Sequence, residues 1–373
     1  MPMAFASHYL EFLLLILLLC GFLIDRTQSV SRPYRAMFNF GNSLSDTGNI
    51  IRINSSAQSG RFPYGETYFK HPTGRASDGR LIIDFFAEAF GLPYLPPYLM
   101  RSHGTDCRSG VNFAVFGATA LDVTFFQERN ISVFVNNSLS VQLRWFDTLK
   151  HSLCNATATS DCRDYLSRSL FVLGEIGGND YTISLIGGRS IDEVQTDVVP
   201  KVIETISSTA KILIEQGVME LVIPGLIPLG CSASFLTLFR SNNEKDYDPQ
   251  NGCLKRYNDL SEYHEALLQR AVKQLRLVYP QVKIVYGNWY GASIRFFNSP
   301  HQFGFINALD ACCGGPGPYN YNLGIQCGFP GSTVCENPSQ YVNWDGFHLT
   351  EAAYQKMAVD ILHGPYSTPP ILC

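Results

Sequence analysis

Ala36-Met-Phe-Asn-Phe40 runs directly into Gly41-Asn42-Ser43-Leu44-Ser45-Asp46-Thr47-Gly48-Asn49. An apolar run of this length that ends on glycine and small polar residues reads as a buried strand followed by a turn. A serine on a tight strand-to-helix turn exposes its hydroxyl at the rim of a sheet. Its own N–H then points the same way, ready to donate to an anion. Ser43 beside Gly41 also reads as a helix cap, so this stretch alone sets a strand and a turn but not a chemistry.

Outward from that turn the chain alternates short apolar runs with helical periodicity. Leu170–Leu173, Glu220–Ile223 and Val282–Tyr286 have the length and the flanking turn residues of buried strands. Between them Val202, Ile203, Ile206, Ala210, Leu213 and Ile214 keep helical spacing, with Gly217 as the stop. Leu260, Leu267, Ala271 and Leu275 mark a second helix that ends before Pro280, and a last helix spans about Glu351 to Leu362 with Thr350 as its cap. Strands separated by helices predict an α/β fold, a mostly parallel sheet of about five strands covered on both faces. Ligands of such sheets bind at the carboxyl ends of the strands, so chemistry is expected just after the apolar runs.

Composition narrows the function classes. The 373 residues are 46% apolar and 16% charged, with a net charge of −4 and no long run of one sign. That excludes the basic footprint of a nucleic-acid binder. Phe12 to Ile24 is a 13-residue apolar run closed by Asp25 and Arg26. It fits a signal-peptide core better than a spanning helix, which needs about 20 apolar residues. Thr27 and Ser29 are small enough for a cleavage site near Ser29, so residues 1–29 read as a leader. No Lys or Arg precedes the run, which keeps a short membrane anchor as the alternative.

Eleven cysteines become an even ten once Cys20 leaves with the leader, and none form C-x-x-C. Cys154/Cys162 and Cys231/Cys253 read as small loop closures. Cys312, Cys313, Cys327 and Cys335 supply two further bridges of undetermined connectivity. Sequons begin at Asn54, Asn130, Asn136 and Asn155. These features together predict a secreted glycoprotein.

Three further segments carry candidate chemistry. Trp344-Asp345-Gly346-Phe347-His348-Leu349-Thr350 stands in a loop before the last helix. An Asp three residues before a His can fix the tautomer that leaves the other ring nitrogen free as a base. A second such pair, Asp360 and His363, falls inside the predicted helix and reads as a surface pair. Gly110-Val-Asn-Phe-Ala-Val-Phe-Gly-Ala118 offers the N–H of Gly117, and Gly174-Glu-Ile-Gly-Gly-Asn-Asp180 offers the amide of Asn179. A packing glycine and a turn asparagine are the plainer readings of each alone. G-x-S-x-G, P-loop and H-E-x-x-H patterns do not occur; His264-Glu265 has no second ligand.

Taken in order, the four blocks resemble those of the GDSL, or SGNH, family of lipases and esterases, across essentially the whole chain after the leader. F-N-F-G-N-S-L-S-D-T-G-N is similar to the first block, G-V-N-F-A-V-F-G-A to the second, G-G-N-D to the third and W-D-G-F-H-L-T to the last. Likeness around Phe62 to Phe69, Gly74 to Arg80 and the Cys-rich stretch points to the plant, secreted branch. The resemblance implies a three-layer α/β/α, flavodoxin-like sandwich, with residues 30–373 as a single hydrolase domain. It implies Ser43 as nucleophile, His348 as base and Asp345 as orienting acid, with Ser43, Gly117 and Asn179 forming the oxyanion hole. One position departs: the family's Asp before the serine is Asn42 here, for which a local hydrogen-bonding role without the charge is expected.

Ester hydrolysis in two acyl-transfer steps is therefore the expected activity, on a small-molecule or lipid ester, with no metal or organic cofactor and a monomeric chain. Two alternatives accompany it: an acyltransferase using the same residues, and a silent cell-wall glycan-binding protein on the same fold.

Overall fold

The computed structural model describes residues 33–100, 106–153 and 159–372. The expected leader, the Asn155 sequon and Cys154 lie outside the described residues. Five strands pair in parallel: β1 (Met37–Phe40), β2 (Gly110–Asn112), β3 (Leu170–Leu173), β4 (Glu220–Pro224) and β5 (Lys283–Gly287). Two small pairs lie apart from this sheet. β6 (Asn307–Ala311) pairs in parallel with β9 (Tyr341–Asn343), and β7 (Cys313–Gly314) pairs antiparallel with β8 (Thr333–Val334). β10 (Ser367–Thr368) lies antiparallel against β5 and covers that edge of the main sheet.

The strand order is β10-β5-β4-β3-β1-β2. The order reverses between β1 and β3, so the crevice outside their carboxyl ends is where a doubly wound sheet binds its ligand. Successive side chains leave a strand on opposite faces, and here both faces are apolar. Phe38, Phe40, Phe171, Leu173, Leu221 and Ile223 enter one core, while Met37, Leu170, Val172, Val222 and Val285 enter the other. This double burial is why the strands read as continuous apolar runs rather than alternating ones.

Among the described residues, the helices that cover the faces include α1 (Ile82–Ala89), α2 (Leu139–Leu153), α3 (Gly178–Ile186), α4 (Val199–Glu215), α5 (Lys255–Val278), α6 (Trp289–Asn298) and α7 (Glu351–His363). Residues of α2 to α5 share the first core, and those of α1, α6 and α7 the second. The predicted three-layer α/β/α architecture is the observed one, with a sixth, two-residue antiparallel strand at its edge. Thr350 caps α7, its hydroxyl accepting from the N–H of Ala353 at 3.3 Å. At the start of β2, Gly110 approaches β1 so closely that a Cβ there would meet the carbonyl oxygen of Met37 at 1.8 Å.

Candidate active site

Ser43 follows β1 in a turn closed by the Ser45 N–H donating to the Asn42 carbonyl at 3.2 Å. The helix expected directly after it begins only at Ile50 and lasts four residues, Ile50–Ile53. Its place is taken by side chains that satisfy the turn's backbone, as buried N–H and C=O groups require. Gln142 of α2 accepts from the Gly41 N–H at 2.9 Å and donates to the Gly41 carbonyl at 2.8 Å. Asp46 accepts from the N–H groups of Gly48, Asn49, Ile50 and Phe116 at 2.8, 2.6, 3.0 and 2.8 Å. Burial pushes the Asp46 carboxyl up to about 6, and those four donors hold it back from rising further.

His348 reaches the same turn from the loop before α7. Its Nε2 lies 2.7 Å from the Ser43 hydroxyl, across a separation of 305 residues. Its Nδ1 lies 2.8 and 2.7 Å from the two carboxylate oxygens of Asp345. Asp345 also accepts from the N–H groups of Phe347 and His348 at 3.1 and 3.0 Å, and from the Tyr64 hydroxyl at 2.6 Å. Burial works to raise this carboxyl, but the charge and hydrogen bond of His348 and the donation from Tyr64 outweigh it and hold it below the ordinary carboxylate range. All three residues are buried, with Ser43 only 5% exposed.

The loop that carries Asp345 is propped from the Cys-rich segment. Cys312 and Cys313 donate their N–H groups to the carbonyls of Asn343 and Trp344 at 3.0 and 2.7 Å. Their sulfurs pair as Cys312–Cys335 and Cys313–Cys327, which resolves the open connectivity, and Cys231 pairs with Cys253 as expected. Cys162 is disulfide-bonded.

Gly117 and Asn179 flank the serine. Gly117 has φ +81°, in the left-handed region that disfavours a side chain, and a Cβ there would press on Phe134 at 3.1 Å. Asn179, at the first turn of α3, donates one amide hydrogen to the Ala118 carbonyl at 2.8 Å. A carboxamide carries two such hydrogens, so a second donor remains. The next residue, Asp180, accepts from the N–H groups of Ala120 and Leu121 at 2.8 and 2.9 Å, tying α3 to the Gly117 loop. The resemblance of the ordered blocks named the five candidate residues but not Tyr64, Gln142, Glu175, Asp46 and Asp180. All but Gln142 stood inside the stretches named above, yet no local period marks which group each of them meets.

Of the other candidates, Asp360 pairs with Arg295 of α6 rather than with His363. His264 is buried in α5, where its Nδ1 lies 2.7 Å from the Tyr181 hydroxyl and burial pushes its pKa down to about 3. No group of three or more His, Cys, Asp and Glu side chains that could hold a metal ion occurs among the described residues. Asn54, Asn130 and Asn136 are all exposed.

A cavity of about 410 Å³ opens over Ser43 and His348. Phe116, Phe134, Ile186, Leu229, Leu323 and Phe347 supply much of its apolar wall. The Phe116 ring lies 5.0 Å from the imidazole.

A 2-1-3-4-5 α/β sheet with a hydroxyl, an imidazole and a carboxylate in series outside its strand ends defines the SGNH class of hydrolases. Residues 37–361 match the family described as GDSL-like Lipase/Acylhydrolase. The chain is 47% identical over 352 residues to a sinapine esterase of Brassica napus, covering 93% of this chain and 90% of that one. Two GDSL esterase/lipases of Arabidopsis thaliana are each 46% identical. They match over 361 and 368 residues, or 95% of this chain in both cases and 93% and 98% of theirs. The chain belongs to the GDSL lipase/acylhydrolase family, and it is a carboxylic ester hydrolase.

Proposed function

We propose that the chain is a secreted serine esterase in which Ser43 is the nucleophile, His348 the general base and Asp345 its orienting acid. The observation that carries this reading is the unbroken series from the Ser43 hydroxyl through both ring nitrogens of His348 to Asp345, with separations of 2.7 and 2.7–2.8 Å. His348 Nε2 takes the hydroxyl proton as Oγ bonds to the ester carbonyl carbon, and the carbonyl electron pair moves onto oxygen. That oxyanion receives the N–H of Ser43, the N–H of Gly117 and the second amide hydrogen of Asn179. Collapse expels the alcohol, which leaves with the proton from His348. A water molecule then repeats the sequence on the acyl-enzyme and restores the free serine. The Asn179 hydrogen bond to Ala118 supports this role, because it aims the amide without using its second donor.

Residues 1–29 are proposed as the leader and residues 30–373 as one hydrolase domain, with glycans on Asn54, Asn130, Asn136 and Asn155. Three disulfides that join described cysteines, the bonded state of Cys162 and the exposure of the three described sequon asparagines support export. Among the described residues no helix is long and apolar enough to cross a membrane. The deciding experiment is the burst of phenol from an activated acetate ester. Ser43→Ala should abolish it, and a full burst from that variant would refute the assignment. Sinapine, the ester in the name of the Brassica relative, belongs in the first substrate panel beside esters of graded acyl length.

A further inference from the structure

We propose that Glu175 is a positioning residue for the ester hydrolysis, its carboxylate bridging the turn that carries Ser43 to the helix start that carries Asn179, and that Asn42 makes this bridge independent of a shared proton. The proposal rests on the esterase reading above and deepens it. Glu175 Oε2 accepts from the Asn42 amide at 2.8 Å, and its Oε1 accepts from the Gly178 N–H at 3.1 Å. Asn42 and Gly178 immediately precede Ser43 and Asn179. One carboxylate thus spans the nucleophile and a candidate oxyanion donor, and it lines the cavity above them.

The orientation of Asn42 follows from its second partner. Its Oδ1 accepts from the Leu44 N–H at 3.0 Å; a backbone N–H can only donate, so the amide nitrogen must face Glu175. An aspartate in the same position would set two carboxylates at hydrogen-bond distance, and such a pair holds together only by sharing a proton. The asparagine supplies that hydrogen covalently.

Glu175 is 3% exposed, and burial pushes its carboxyl up to about 7 against the pull of its two donors and His348. Its other titratable neighbours are Asp180 and Tyr181 of α3, Glu265 of α5 and Tyr354 of α7. Two of these are carboxyls with donors of their own. Asp180 holds the N–H groups of Ala120 and Leu121, and Glu265 holds the N–H of Leu226 and the hydroxyl of Tyr286. Among these neighbours only protonated His348 contributes positive charge.

Three near-isosteric variants test the bridge. In Glu175→Gln one amide N–H faces another across the gap. Turning Asn42 over only moves the clash to Leu44, so kcat should fall about 10- to 100-fold with KM little changed, the range spanned by a lost hydrogen bond to a charged group. In Asn42→Asp the shared proton is lost at alkaline pH, so kcat should fall there while the native profile stays level. The double variant, Asn42→Asp with Glu175→Gln, reverses the polarity of the bridge. The carboxamide introduced at position 175 donates to the carboxylate introduced at position 42, and its oxygen still accepts from Gly178. This variant should recover most of the native kcat and lose the alkaline fall.

Glu175→Gln with native kcat and pH profile, or a double variant no better than Glu175→Gln, overturns the proposal. Thermal midpoints measured alongside separate a loosened site from a loosened fold. A native protein that releases no phenol from any ester would instead sink the esterase reading, and this inference with it.

Discussion

Tyr64 shows how much a single buried hydroxyl carries at this site. It is fully buried, packs edge-on against Trp344 with ring centroids 5.8 Å apart, and donates to Asp345. Tyr64→Phe keeps the volume and removes the donor. Hydrogen bonds to charged groups contribute about 1.5–3 kcal/mol, so kcat/KM should drop on the order of tenfold or more. The sign of the pH effect is fixed as well. Asp345 is held below its ordinary value, so its ionised form is favoured in the folded state and is lost as pH falls through the folded pKa. Removing Tyr64 should raise that pKa, so the Asp345 carboxyl, followed by its carbon chemical shift, should titrate at higher pH than in the native protein; an unmoved titration would count against the contact. At Asn179, substitution by Ala should lower kcat by about 10²–10³ with native folding, the loss typical of one oxyanion donor. Turnover unaffected by that change would remove Asn179 from the mechanism.

At the level of elements, the loop between β9 and α7 is closed by the Trp344 N–H donating to the His348 carbonyl at 2.7 Å, and β7 and the disulfides hold it from outside. Cys313–Cys327 closes a separation of 14 residues and holds the backbone that bonds to Trp344. Replacing both cysteines by Ala should cost about 2–4 kcal/mol in urea unfolding, as for bridges of comparable loops. It should also lower kcat, because the carbonyl of Trp344 loses a fixed donor beside Asp345. α1 supplies a second case. Arg75 grips Asp84 through two nitrogens at 2.8 and 2.7 Å, both residues are buried, and Asp84 also accepts from the Leu81 N–H at the helix start. Asp84→Ala strands the guanidinium and should destabilise by about 3–5 kcal/mol in the same assay, the cost of an unpaired buried charge.

Across the whole molecule, buried carboxyls set the response to pH. Burial pushes Glu175 and Asp180 up to about 7 and Glu265 up to about 8, and Glu175 raises both of the others further. An unfolded carboxyl titrates near 4. Between these values the folded state binds more protons, so the stability these groups contribute is full at low pH and is lost as pH rises through about 7 to 8. Buried neutral His264, pushed down to about 3, acts in the opposite direction, but only below its ordinary value of about 6.5. From pH 6.5 to 8.5 the carboxyls therefore dominate, and the thermal midpoint should fall over that range. A midpoint that is level or rising there would contradict the burial of these groups as charged species.

Much of this architecture was legible from local pattern alone. Strand and helix identities follow from spacing among near neighbours, and that spacing marked β1, β3, β4, β5, α4, α5 and α7 to within a few residues. The likeness of four ordered blocks to the family pointed to Ser43, Gly117, Asn179, Asp345 and His348, which local pattern alone left with plainer readings. What the fold alone decided was who holds whom. Tyr64 meets Asp345 across 281 residues, Asn42 meets Glu175 across 133, and Gln142 meets Gly41 across 101. The pairing of four close cysteines was likewise open until the chain had folded. The physical reason is the same in each case: periodicity records which face a residue turns to the core, whereas a hydrogen bond or a disulfide depends on where two distant backbones are brought in space.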